Sequence, residues 1–226
     1  MGPGRGGRLA GAGALACILC LLASSLSAAE PSPLIVGGGK ANAAGWRFAV
    51  ALEQKRRLIC SGSLIAPTKV LTAAHCVKSG KRRQLSILAG GPWISPRRRA
   101  PRIKVTAVAV DPATGLRQAR GFQQASMICA LGKRIGRIRS RLPFHATSCE
   151  GDSGGPLVAD TTGGPRLNGA VSAGVFPCGV GGASIYARVA TRLRFIERAA
   201  GLGSEEKPAS GLEPLTPSLR MKCSTS

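Results

Sequence analysis

Residues 149–157 read Cys149-Glu150-Gly151-Asp152-Ser153-Gly154-Gly155-Pro156-Leu157. A serine hydroxyl is a poor nucleophile until a base takes its proton, and acyl transfer also needs donors for the developing oxyanion. Glycines on both sides of Ser153 let the backbone turn so that the Gly151 and Ser153 N–H groups can converge. A candidate base lies upstream in Leu71-Thr72-Ala73-Ala74-His75-Cys76, and the body opens with Ile35-Val36-Gly37-Gly38. Each stretch is bland alone, since a lone histidine is usually structural and a glycine-rich segment is often just a turn.

The chain around these motifs has 226 residues, 44% of them apolar and 4% aromatic, with a formal charge of 32 − 10 = +22. That length and apolar content allow a real core and argue against a wholly disordered chain. Arg5 and Arg8 followed by the uncharged Leu9–Leu26 and the small residues Ser27-Ala28-Ala29 read as an export signal over 1–29, cleaved near Ala28 or Ala29. A short spacer, 30–34, precedes the body at 35–200, and the Pro/Ser-rich stretch 201–226 reads as a disordered tail. Of eight cysteines, Cys17 and Cys20 fall within the leader, and six remain for an oxidising compartment where disulfides persist. The body contains no CxxC pair, so a zinc ribbon is excluded and no metal or cofactor is expected. Short β-like runs over 48–52, 62–65, 69–71, 85–89, 103–110, 156–158, 167–173 and 183–189 are separated by Gly, Pro and Ser. They predict antiparallel β structure, and 191–200 has helical periodicity with Leu193, Ile196 and Ala200 on one face.

The three motifs in this order resemble the chymotrypsin/trypsin family of serine endopeptidases, over Ile35 to about Arg198 in two blocks, 35–110 and 127–198. The resemblance implies an all-β fold, a double antiparallel β-barrel, with a short C-terminal helix. It implies Ser153 as nucleophile and His75 as general base, with Gly151 and Ser153 forming the oxyanion hole. Ile35 would become a new N-terminus on cleavage behind Leu34, and its ammonium would pair with Asp152 as an activation switch. The family's bridges map onto Cys60–Cys76 and Cys149–Cys178. A further one is missing, with Ala159 where its cysteine would stand. Cys129 is expected either free or paired with Cys223. Thr147, six residues before Ser153, takes the specificity-pocket floor. Ser172 and Gly174 fall on the edge that pairs with substrate, and Ser184 on the opposite wall. Without a carboxylate at Thr147 the pocket suits a medium apolar side chain.

One part of the pattern is absent. The acids between His75 and Ser153 are Asp111, Glu150 and Asp152, and the last two belong to the serine stretch. That leaves Asp111 to orient His75 by elimination, yet Val108-Ala109-Val110-Asp111-Pro112 resembles a segment that precedes the family's triad aspartate. The histidine-to-serine separation is 153 − 75 = 78 residues, too few for the strands that normally intervene. The barrel is therefore expected to be incomplete, with a block missing near Gly115–Gln124.

Residues 35–200 hold 27 Lys/Arg against 6 Asp/Glu, a charge of 27 − 6 = +21. Arg97-Arg98-Arg99, Lys81-Arg82-Arg83 and the series Arg134, Arg137, Arg139, Arg141 are the densest groups. Such a surface attracts polyanions or anionic membranes. Few aromatics and the export signal argue against specific nucleic-acid binding. Two functions follow: a secreted, monomeric endopeptidase acting on proteins or peptides, or a catalytically impaired homologue that binds polyanions or membrane surfaces.

Overall fold

Apolar side chains alternate with small or polar ones along most of the short runs, so sheets that bury one face account for them. The computed structural model describes residues 1–2, 35–39, 41, 43–78, 82–89, 101–112, 122–137 and 143–202. The expected leader, spacer and tail fall outside these apart from residues 1, 2, 201 and 202. Most of the expected junction near Gly115–Gln124 lies outside as well.

The first sheet contains β1 (Ala49–Gln54), β2 (Arg57–Ala66), β3 (Lys69–Leu71), β4 (Leu85–Leu88) and β5 (Arg102–Lys104), in the antiparallel order β3-β2-β1-β4-β5. Its core groups Val50, Leu52, Cys60, Ala73, Cys76 and Ile87. Between β3 and β4 the helix Ala74–Val77 carries His75, with Cys76 turned inward and His75 outward. The Cys60–Cys76 disulfide ties that helix to β2.

The second sheet contains β6 (Met127–Leu131), β9 (Pro156–Thr161), β10 (Gly164–Gly174) and β11 (Ala183–Arg188), in the order β6-β11-β10-β9. A separate two-stranded ribbon joins β7 (Arg134–Arg137) and β8 (Pro143–His145). A 3-10 turn, Val189–Arg192, leads into the helix Leu193–Ala200, whose Ile196 is buried and whose chain stops at the left-handed Gly201. Among the described residues no helix is long and apolar enough to cross a membrane.

The two curled, antiparallel half-barrel sheets and the short C-terminal helix are the double-barrel architecture read from the sequence. Individual elements differ. The run 103–110 is strand only over Arg102–Lys104: Val105 N–H still donates to the Leu85 carbonyl at 3.2 Å, but 106–110 finds no ladder partner among the described residues. β6, β7 and β8 were not legible as strands. β6 has just one fully buried residue, Cys129, and β7 is exposed throughout, so neither shows a clean period of two. Cys129 is disulfide-bonded, which corrects the free-thiol alternative; the expected partner Cys223 lies outside the described residues.

Candidate active site

The turn carrying Ser153 is built from its glycines. Gly151 and Gly154 adopt φ values of 91° and 82°, where a side chain would be strained. Asp152 N–H donates to the Cys149 carbonyl at 3.1 Å, and Gly155 N–H to the Asp152 carbonyl at 2.8 Å. Gly154 N–H then donates to Val171 of β10 at 2.7 Å, locking the turn onto the second sheet.

The first sheet holds the same turn from the other side. Ser61 N–H donates to the Ser153 carbonyl at 2.8 Å, and Ser61 Oγ donates to the Gly151 carbonyl at 2.9 Å. Thr72 Oγ1 donates in turn to the Ser61 carbonyl at 2.8 Å. A Cβ at Gly154 would collide with Thr72 Oγ1, the Ser61 carbonyl and the Ala73 nitrogen. The serine turn is therefore pressed against the segment leading into His75. Ser61 and Thr72 escaped the sequence reading, because a serine in a strand and a threonine before a helix carry no distinctive spacing.

His75 and Ser153 line one open cleft of about 460 Å³ with Leu58, Ile59, Cys60, Glu150 and Gly151. Among the described residues no hydrogen bond joins His75 to Ser153, and the Gly151 and Ser153 N–H groups have no protein acceptor. A ring nitrogen of His75 and the sulfurs of Cys60 and Cys76 lie within 4.8 Å of one another. Those sulfurs are bonded to each other, so neither is a thiolate and the trio is not a zinc-binding set.

The carboxylates divide sharply. Asp111 faces Arg192 at 3.5 Å and lines a different cleft, against the helix Leu193–Ala200. It is not among the residues around His75. Asp152 is buried, and Cys149 N–H donates to its Oδ2 at 2.8 Å. Burial raises its pKa, partly offset by that hydrogen bond. Ile35 is 50% exposed, but the next residue is anchored: Val36 and Thr147 exchange backbone hydrogen bonds at 3.0 and 3.1 Å.

Thr147 links that anchor to the sequence-assigned pocket. Its buried Oγ1 accepts from Gly179 N–H at 2.8 Å, next to the Cys149–Cys178 disulfide. Gly174 pairs with Ser184 across β10 and β11, and Ser172 falls at the irregularity between Val171 and Ala173. Ser184 Oγ accepts from Ser148 N–H at 3.0 Å and from Ser148 Oγ at 2.9 Å. Tyr186, its phenol pKa raised chiefly by burial, hydrogen-bonds the same Ser184. Thr147, Ser148 and Ser184 are all buried, a small polar cluster in which Ser148 is the member the sequence reading missed.

Comparison with known proteins agrees with this fold. The family model described as Trypsin matches residues 35–121 and 123–196, and the break falls within Gly115–Gln124. The snake venom serine protease pallabin-2 of Gloydius halys is 51% identical over 57 residues, 25% of this chain and 22% of that protein. Snake venom serine proteinase 12 of Crotalus adamanteus is 43% identical over 68 residues, 30% and 26% of the two chains. The thrombin-like enzyme calobin-1 of Gloydius ussuriensis is 44% identical over 70 residues, 30% and 27%. The matched stretch thus spans about a quarter of the length of these venom proteins.

Proposed function

The chain belongs to the trypsin family, and from that premise we propose that it is an exported serine endopeptidase made as a zymogen. The observation that carries this reading is the clamp of Ser61 on Ser153 and Gly151, which sets the serine turn beside His75 in one cleft. In the proposed reaction His75 takes the proton from Ser153 Oγ as that oxygen attacks the substrate carbonyl carbon. The Gly151 and Ser153 N–H groups receive the oxyanion. Protonated His75 then delivers its proton to the leaving amine, and water hydrolyses the acyl-serine by the reverse sequence. Thr147 at the pocket floor, with Ser172, Gly174 and Ser184 around it, favours a medium apolar side chain before the scissile bond. Cleavage behind Leu34 frees the Ile35 ammonium to meet Asp152, a carboxylate whose pKa is raised by burial.

Among the described residues no aspartate lines the cleft of His75, and Asp111 faces Arg192. Loss of that partner typically lowers turnover by roughly 10⁴ while leaving residual catalysis. A stoichiometric probe is therefore the decisive test. A fluorophosphonate should label protein that starts at Ile35, and Ser153→Ala should abolish the label. Folded, Ile35-started protein that takes no label would overturn the reading.

The second reading, an impaired cationic homologue that binds polyanions, is favoured by the body's 27 cations against 6 carboxylates and by the uncompleted triad. Heparin affinity that survives Ser153→Ala supports it.

A further inference from the structure

Three separate segments bring cations to one end of the five-stranded sheet. The turn between β1 and β2 carries Lys55, Arg56 and Arg57. Lys55 N–H donates to the Gln84 carbonyl at 3.1 Å, which docks the turn on the 3-10 helix Arg82–Gln84 with its Arg82 and Arg83. In the next ladder Lys104 of β5 stands opposite Ser86, two residues beyond that helix. All six basic side chains are exposed.

Among the described residues no ion pair joins any of the six to a carboxylate. The body's six carboxylates are Glu53, Asp111, Glu150, Asp152, Asp160 and Glu197. Of these only Glu53 lies on the strands in question. It is 5% exposed, and Arg102 grips its two oxygens at 2.8 and 3.4 Å. The turn itself is costly, with Lys55 and Arg56 at φ values of 50° and 65°. An Asn-Gly pair would adopt that left-handed turn with less strain. Two cations thus occupy positions where neutral turn residues fit the backbone better.

We propose that this corner is a binding site for a sulfated polysaccharide. The guanidinium forks and ammonium groups suit sulfate oxygens. Neighbouring strands lie about 4.8 Å apart, so a linear polyanion can touch the turn, the 3-10 helix and β5 together. The exposed apolar residues beside these cations, Leu58 on β2 and Ile103 on β5, stand singly on strands separated by β1 and β4 rather than forming one apolar face, which favours a soluble chain of anions over a lipid surface. The proposal rests on the second reading above and requires no turnover.

The test is elution of the full-length, disulfide-bonded chain from immobilised heparin across a salt gradient. Lys55→Asn/Arg56→Gly removes two charges while suiting the left-handed turn, and Arg82→Gln/Arg83→Gln removes two on the helix. Counterion release predicts that each corner pair elutes earlier and lowers the log–log salt slope by roughly two. Arg134→Gln/Arg137→Gln, on the exposed β7, should change elution much less. The proposal is overturned if the β7 pair weakens binding as much as either corner pair, because charge would then act diffusely. Tighter binding to phosphatidylserine vesicles or to polyglutamate than to heparin at equal salt would overturn it too.

Discussion

The two sheets hold their functional residues by different physics. In the first, His75 sits on a four-residue helix fastened to an apolar cluster of Val50, Leu52, Cys60, Ala73, Cys76 and Ile87. In the second, the surroundings of Ser153 are largely polar: Thr147, Ser148, Asp152 and Ser184 are buried and satisfied by hydrogen bonds. Apolar packing is non-directional and tolerates small shifts, whereas a buried polar group without its partner costs about 1–3 kcal/mol. The base is therefore held by a robust half and the nucleophile by an exacting one. The seam between them is the Ser61–Ser153 contact.

Breaking that seam should give the largest effect. Gly154→Ala places a methyl group against Thr72 and Ser61 at a left-handed backbone position. Overpacking and the φ penalty together predict a loss of about 3–4 kcal/mol, read from the urea midpoint. Gly136→Ala, on β7 with open space around its Cβ position, should cost well under about 1 kcal/mol. Equal losses in the two variants would mean that the serine turn does not join the halves.

The disulfides probe each half in turn. Cys60–Cys76 closes 16 residues and Cys149–Cys178 closes 29. Replacing either pair by alanine should cost about 3 kcal/mol, with the longer loop about 0.5 kcal/mol dearer. Their consequences for chemistry should differ. Without Cys149–Cys178 the Gly179–Thr147 hydrogen bond loses its neighbouring tether, so the pocket should loosen and peptide-like phosphonates lose selectivity. Without Cys60–Cys76 the helix bearing His75 is freed, so labling by every phosphonate should slow. Identical labelling profiles for the two variants would erase the contrast.

The sequence made the ends of this comparison legible but hid its middle. Ser153, its glycines, His75 and the four cysteines of the two described bridges sit in motifs whose spacing reflects chemistry. The helix Leu193–Ala200 declared itself by periodicity. Ser61, Thr72 and Ser148 did not, because each acts through a hydrogen bond to a residue remote in sequence or across a sheet. Ser61 meets Gly151 across 90 residues and Ser148 meets Ser184 across 36. No local pattern encodes either pairing. The same holds for Asp111: its place in the chain left it the one spare acid, and only the fold shows it facing Arg192.

Ser61→Ala tests one of those hidden contacts. It removes the hydroxyl bond to the Gly151 carbonyl while keeping the backbone bond to Ser153. Stability should fall by about 1 kcal/mol. The fluorophosphonate rate should fall more than stability alone explains, because the Gly151–Asp152 peptide loses an anchor and the adjoining Gly151 N–H can shift from its proposed oxyanion position. An unchanged rate in a folded variant would confine Ser61 to a structural part.

The smallest effect is a pH slope, and it asks whether the exacting half changes on activation. In the uncleaved chain burial raises the Asp152 pKa above its ordinary 3.8, so the folded state holds that proton more tightly than the unfolded one. The stabilising contribution of the protonated carboxyl is complete below the ordinary value and is lost as pH rises through the raised folded value. Asp152→Asn should flatten that fall while keeping an acceptor for Cys149 N–H. In protein that starts at Ile35, pairing with the new ammonium would instead lower the Asp152 pKa and invert the slope. Stability would then be present above the ordinary value and lost on acidification. Urea midpoints from about pH 3 to about pH 7 for the intact chain, Asp152→Asn and the Ile35-started chain separate these cases. Slopes of the same sign before and after cleavage would remove Asp152 from the activation switch and leave it a buried polar group of the second sheet.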